Sequence, residues 1–271
     1  MKILALFALS LAVLRPAPAQ PPKPAAKLQV LIVTGQNRHD WRATTPVLRK
    51  LLEDTGRFEV RVAEEFRGAG PETLAPYDVV VLNYDDKRQP ALRWGERADS
   101  ALLSWVRSGK GVVVFHFATA AFEGWEEYEK MCAGNWRPNN GHHSARHDFT
   151  VDVKDADHPI TRGMKASFPQ ATDELYANLK WQPANTYHVL TTAWDDHKLY
   201  GGNARQPTPG DGLNQPMLWT VDYGSGRVFV DALGHDPKAM VGAGFISTLV
   251  RGTEWAATGQ VTIPLPPELA K

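Results

Sequence analysis

A single cysteine, Cys132, occurs in 271 residues, so no intrachain disulfide can form. The fold must therefore stand on a packed core. Excess charge is also missing, because thirty Lys and Arg balance thirty Asp and Glu. Zero formal net charge offers no basic surplus to attract nucleic acid or an anionic membrane. No Gly-x-Ser-x-Gly elbow occurs, which removes the usual α/β-hydrolase nucleophile. No Gly-x-Gly-x-x-Gly follows the first apolar run, so no nucleotide cofactor is expected. Neither His-Glu-x-x-His nor Cys-x-x-Cys is present, so no linear metal motif stands out. Beyond the amino terminus, no apolar run is long enough to span a bilayer as a helix.

What is present begins with a secretory pattern. Lys2 supplies a positive start, Ile3 to Leu14 is apolar apart from Ser10, and Ala17-Pro18-Ala19 offers small residues before a cut near Gln20. Residues 1–19 are thus expected to be a signal peptide and 20–27 a Pro/Ala-rich linker. The mature protein is expected to be secreted or periplasmic, with no membrane attachment after cleavage. The rest is long enough for one α/β domain over 28–266, with a short tail at 267–271.

Apolar runs predict strands over 28–34, 58–63, 78–83, 111–117, 148–154, 187–193, 217–222 and 227–233. Helical spacing predicts helices over 96–107, 122–133 and 240–257. Another is expected to start at Thr44 or Thr45 as N-cap, with Pro46 near its first position, and to stop at Gly56. Strand–helix–strand alternation predicts a parallel sheet with right-handed crossovers and the middle third inserted as a lid or side sheet.

Ligands of open α/β sheets bind beyond the carboxyl ends of the strands. His39, His116 and His235 follow predicted strands, and His142, His143 and His147 share a polar loop. Imidazole can act as acid, base or neutral metal ligand near pH 7. A lone histidine is more often a hydrogen-bonded structural residue, but convergence at one edge favours a site containing His116 and His235. Three N or O ligands with an open position would suit zinc or a similar divalent ion. Asp173-Glu174-Leu175-Tyr176 places two carboxyls beside a phenol, a set suited to acid–base chemistry. Asp40, Asn83, Asp85 and Asp236 are loop groups able to bind hydroxyls, as is His39. Trp41, Trp125 and Trp136 lie near the same loops, where indole faces could stack on sugar C–H surfaces. Cys132 falls within a predicted helix, away from any strand-end turn.

Ordered motifs carry a resemblance. They are His116 after Gly111-Val112-Val113-Val114-Phe115, Gly141-His142-His143, and Asp157-His158-Pro159-Ile160-Thr161. Asp173-Glu174-Leu175-Tyr176, Tyr223-Gly224-Ser225-Gly226-Arg227-Val228-Phe229, Leu233-Gly234-His235-Asp236 and Arg251-Gly252-Thr253-Glu254-Trp255-Ala256 complete the set. Over 28–266 the chain resembles the trehalose-utilisation (ThuA-like) family. The resemblance implies a flavodoxin-like fold similar to class I glutamine amidotransferases, with helices on both faces of the sheet. His116 stands where the amidotransferase cysteine would be, which argues against glutamine hydrolysis. It also implies sugar catabolism, with a 3-keto-glycoside supplied by a sugar 3-dehydrogenase, and a metal held by His116, His143 and His235.

The preferred expectation is an exported enzyme acting on an oxidised sugar, with His116, His235, Asp173, Glu174 and Tyr176 as the catalytic candidates. Hydrolase, lyase and isomerase outcomes all remain open. The alternatives are a non-catalytic carbohydrate-binding protein and a regulatory or scaffold domain that has lost amidotransferase chemistry.

Overall fold

Strand β1 (Leu28–Val33) divides its side chains between two cores. Val30 and Ile32 pack on one face, and Leu31 and Val33 on the other. Such burial on both faces belongs to a strand inside a helix-covered sheet. The computed structural model describes residues 26–200 and 210–271 and shows that arrangement. The expected signal peptide, 1–19, and nearly all of the linker lie outside the described residues. Among the described residues, no helix is long and apolar enough to cross a membrane.

After β1 come α1 (Trp41–Asp54), β2 (Phe58–Ala63), the short α2 (Pro71–Leu74), β3 (Val79–Leu82), α3 (Glu96–Arg107) and β4 (Gly111–Phe115). A 3-10 turn over His116–Ala120 leads to α4 (Glu126–Cys132). The middle third holds β5 (Gly134–Asn135), β6 (His142–His143), β7 (His147–Val153), β8 (Ser167–Asp173), β9 (Tyr176–Ala177), β10 (Lys180–Trp181) and β11 (His188–Trp194). Finally come β12 (Asn214–Tyr223), β13 (Gly226–Asp231) and α5 (Ala243–Thr258).

Among the described residues, the main sheet has nine strands in the order β2-β1-β3-β4-β13-β12-β11-β7-β8. The first five are parallel and follow the flavodoxin-like order, with β13 as the fifth strand. From β12 onward the pairing is antiparallel. The expected α/β fold is therefore present as a mixed sheet. The middle third extends that sheet, and the pairs β10–β5 and β6–β9 make two small side sheets. Ala98, Leu102 and Val106 of α3 and Met131 of α4 cover one face, while Leu48 and Leu52 of α1 and Phe245 and Leu249 of α5 cover the other.

Some boundaries differ from expectation for identifiable reasons. Helix α1 starts at Trp41, because Asp40 accepts the Ala43 N–H at 3.1 Å and is the N-cap. The Thr44 and Thr45 hydroxyls, expected as caps, instead accept from Asn83 Nδ2 at 3.0 Å each. Pro46 consequently lies inside the helix, and Gly56, with φ +70°, lies just beyond its end as expected. Strand β4 ends at Phe115, because His116 adopts φ +45° and turns the chain. Helix α4 starts only at Glu126, since Phe122 sits at φ +54° with its ring packed among Tyr84, Trp94, Trp125 and Tyr128. Strand β8 was not expected.

Candidate metal centre

Parallel pairing brings the carboxyl ends of β1, β3, β4 and β13 to one edge of the sheet. The loop after β1 carries His39 there. Asn37 fixes that loop: its Oδ1 accepts from the His39 backbone N–H at 2.9 Å, and its Nδ2 donates to Asn83 Oδ1 at 3.2 Å. Arg38 Nε donates to the buried Asp85 at 2.7 Å, adding a second tie to the end of β3.

His116 begins the 3-10 turn after β4. Its Nδ1 lies 2.8 Å from the Ala232 carbonyl oxygen, so it must carry the proton and donate. Its Nε2 therefore presents a lone pair, 2.8 Å from the Tyr176 hydroxyl. His235 follows β13 through Gly234, whose φ is +97°. A Cβ at position 234 would lie 2.7 Å from the Phe115 ring, so only glycine fits this turn without displacement.

Asp173, the last residue of β8, locks the opposite wall. Its carboxylate accepts from the backbone N–H groups of Gly234 (2.7 Å), His235 (3.0 Å) and Glu174 (2.9 Å), and from Gln170 Nε2 (2.8 Å). Burial raises its pKa to about 6, and the four donors work against that rise by favouring the charged form. Glu174 Oε2 then lies 3.1 Å from His235 Nδ1 and 4.0 Å from His116 Nε2, and Oε1 lies 3.4 Å from His143 Nδ1.

One potential ligand atom from each of His39, His116, Glu174 and His235 lies within 4.8 Å of all the others. The imidazole centroids are 4.5 Å apart for His39–His235, 5.0 Å for His39–His116 and 5.6 Å for His116–His235. Among the described residues, His39 Nδ1 and His235 Nδ1 are buried and find no hydrogen-bond partner. The His235 nitrogen is close to Glu174 but off the hydrogen-bond axis. Buried polar atoms normally have partners, and leaving one unpaired costs about 1–3 kcal/mol. Four convergent side chains, two of them with an orphaned imidazole nitrogen, fit a bound cation, and three imidazoles with one carboxylate suit a zinc-type ion.

The electrostatics of His39 and His116 agree with this fit, whereas His235 needs the ion to displace its proton. Burial, reinforced by His235, lowers the His39 pKa to about 4. Burial and the neighbouring imidazoles also push His116 well below the ordinary value. Both rings are then neutral near pH 7, the state that binds metal. Burial opposes a charge on His235, but Glu174 outweighs it and raises that pKa. Burial likewise opposes ionisation of Glu174, yet His235, His143 and His39 hold it below the usual carboxylate value.

The other expected site residues divide clearly. Tyr176 and His39 are in the centre or touch it, whereas His143 stands one step out, against Glu174, and is not among the four converging ligands. Asp173 faces backbone amides and acts on the site through Glu174 and His235. Asn83 and Asp85 are buried braces of the His39 loop. Asp40 caps α1, and Trp41 is buried as the helix's first residue, with Arg42 over its ring. Trp125 packs on Phe122 and Tyr128. Asp236 pairs with Arg146 at 2.7 Å and accepts from the Lys238 and Ala239 N–H groups. Asn37 and Arg38 were missed as site residues. Their position beside His39 in the loop after the first strand was the available signal.

A family model described as trehalose utilisation matches residues 29–256. A ThuA-like protein of Parabacteroides merdae is 31% identical, with a TM-score of 0.78 over 91% of this chain and 95% of that one. A ThuA-like protein of Bacteroides uniformis is 18% identical, with a TM-score of 0.66 over 91% of this chain and 97% of that one. A cytoplasmic protein of Salmonella typhimurium shares the fold at 12% identity, with a TM-score of 0.56 over 84% of this chain and 99% of that one. No curated protein matches the chain. With residues 29–256 matched by the family model and a ThuA-like protein 31% identical over 91% of this chain, the chain belongs to the ThuA, or trehalose utilisation, family.

Proposed function

We propose that this protein is an exported sugar-catabolism enzyme. Its His39/His116/Glu174/His235 centre would act on a 3-keto-glycoside or related carbohydrate by acid–base chemistry. The family description supports a carbohydrate ligand. The observation that carries the reading is the convergence of four side chains, each with a ligand atom within 4.8 Å of the others and two of them carrying an orphaned imidazole nitrogen.

A ketone at C3 acidifies the C–H bond at C2. A neutral imidazole or the ionised Glu174 is the base that removes this proton. A divalent ion of the zinc type, held by the three of the four side chains that do not act as base, would supply Lewis-acid stabilisation of the charge developing on the keto oxygen. Tyr176 holds its hydroxyl 2.8 Å from His116 Nε2 and provides a proton donor in the same buried space. Loss of the substituent at C1 gives lyase or hydrolase chemistry, and reprotonation of C2 on the other face gives isomerisation. A sugar 3-dehydrogenase would supply the substrate.

The test is turnover of a panel of 3-keto-glycosides by the wild type and by His116→Ala and His235→Ala. Both substitutions should abolish turnover while the circular dichroism spectrum stays native. Full activity in either variant would reject its role, and no turnover of the panel by the metal-replete wild type would reject the substrate class.

A further inference from the structure

Trp136 is an indole set against the residues that surround the centre. Trp136 is partly buried, and its ring contacts Tyr176 (4.9 Å, 68°), His143 (5.8 Å) and Phe117 (6.1 Å). Each of these touches the centre: Tyr176 bonds His116, His143 lies 3.4 Å from Glu174, and Phe117 stacks on His39 at 4.3 Å. Among the described residues, no other tryptophan makes a ring contact with any of those three.

The backbone of Trp136 is held firmly. Its N–H donates to the Thr119 carbonyl at 3.1 Å, and its own carbonyl accepts from Arg137 Nη1 at 2.7 Å. Arg137 is itself buried and paired with Glu129 at 2.7 Å. Gly141 packs directly on the indole, where a Cβ would come within 2.8 Å of the ring. Arg38 lies over Phe117 at 4.6 Å, with its guanidinium fixed by Asp85 and its side chain 33% exposed. A rigid flat apolar surface thus adjoins oriented polar and charged groups.

We propose that Trp136 is the stacking platform of a pyranose subsite beside the centre. The C–H face of the sugar ring would lie on the indole, and its oxygens would face the polar groups. A pyranose suits this surface because one molecule carries both an apolar face and a rim of hydroxyls. This inference rests on the carbohydrate reading above but not on the presence of a metal.

The test is saturation-transfer and calorimetric titration with methyl α-glucopyranoside, its 3-keto derivative and trehalose, with open-chain sorbitol as control. Trp136→Leu keeps apolar bulk without the aromatic face, and Trp136→Phe keeps a ring. At least one pyranoside should bind the wild type in preference to sorbitol, about tenfold more weakly to the Leu variant and within about threefold to the Phe variant. Metal content, measured alongside, should be unchanged in both. Binding of no pyranoside, equal affinity in the Leu variant, equal losses in both variants, or loss of fold or metal in the Phe variant would overturn the assignment. Trp136-dependent binding to a protein that takes up no metal would uphold the subsite and reject the metal centre. Metal-loaded protein indifferent to pyranosides would do the reverse.

Discussion

His116 pays a backbone cost to sit where it does. A non-glycine residue at φ +45° is strained by about 1–3 kcal/mol, yet that turn ends β4 and swings the imidazole into the centre. The proton on Nδ1, fixed by the Ala232 carbonyl, leaves Nε2 for a ligand or for Tyr176. Tyr176→Phe removes only the hydroxyl. If Tyr176 carries a proton, metal content should be retained and turnover should fall about 100-fold or more, seen in kcat rather than KM. Unchanged kcat would remove Tyr176 from the chemistry. Asp173→Asn sets an amide N–H₂ group against backbone N–H donors and should weaken metal affinity by about 10–100-fold, measured by competition with a chelating dye. Undiminished affinity would mean that Asp173 does not position Glu174 and His235. His116 and His235 were legible in the sequence because a strand end followed by histidine is a local pattern. That His39 rather than His143 joins the converging set was not, because it depends on Asn37 reaching Asn83 and on β6 pairing with β9.

Elements were legible where burial pattern alone decides them. Helix α3 was readable throughout because Ala98, Leu102 and Val106 recur at helical spacing and are fully buried. Strand β8 escaped because Ser167-Phe168-Pro169-Gln170-Ala171-Thr172-Asp173 contains a proline and buries the polar Gln170, whose Nε2 donates to Asp173 and the Ala239 carbonyl. Helix α1 was started too late because Thr44 and Thr45 resemble caps, while their hydroxyls actually brace Asn83. At the other end of the chain, Glu254 of α5 clamps Arg57 and the Thr262–Ile263 segment at 2.6–3.0 Å. Burial opposes its ionisation, but the Thr262 hydroxyl, Arg57 and the two backbone N–H groups hold its pKa below the ordinary value. A depressed carboxylate stabilises the fold above its unfolded pKa of about 4.3, and that contribution is lost as pH falls through the folded value. Glu254→Gln should therefore cost about 1–3 kcal/mol at pH 7 in urea unfolding, with the gap to the wild type closing in acid. A gap independent of pH would show that the charge of Glu254 is not what stabilises the clamp.

On the scale of the whole molecule, the centre joins loops after β1, β4, β8 and β13, which are distant in sequence and meet only through the sheet order. The parallel half was readable as strand–helix alternation. The β12–β13 hairpin shows in its tight turn, Tyr223-Gly224-Ser225-Gly226, but the continuation through β11, β7 and β8 does not, since no tight turn joins those strands. An ion that binds only the folded chain would stabilise all of it, by about 2.7 kcal/mol at a free concentration one hundred times its Kd. Chelation should accordingly lower the unfolding temperature of the wild type but not of His235→Ala. The most direct measurement is elemental analysis of the purified protein, before and after incubation with zinc, manganese or nickel. The expected result is about one tightly held divalent ion per chain in the wild type, and far less in His235→Ala and Glu174→Gln. A wild-type protein that carries none and takes up none, or variants that hold as much as the wild type, would contradict the metal centre.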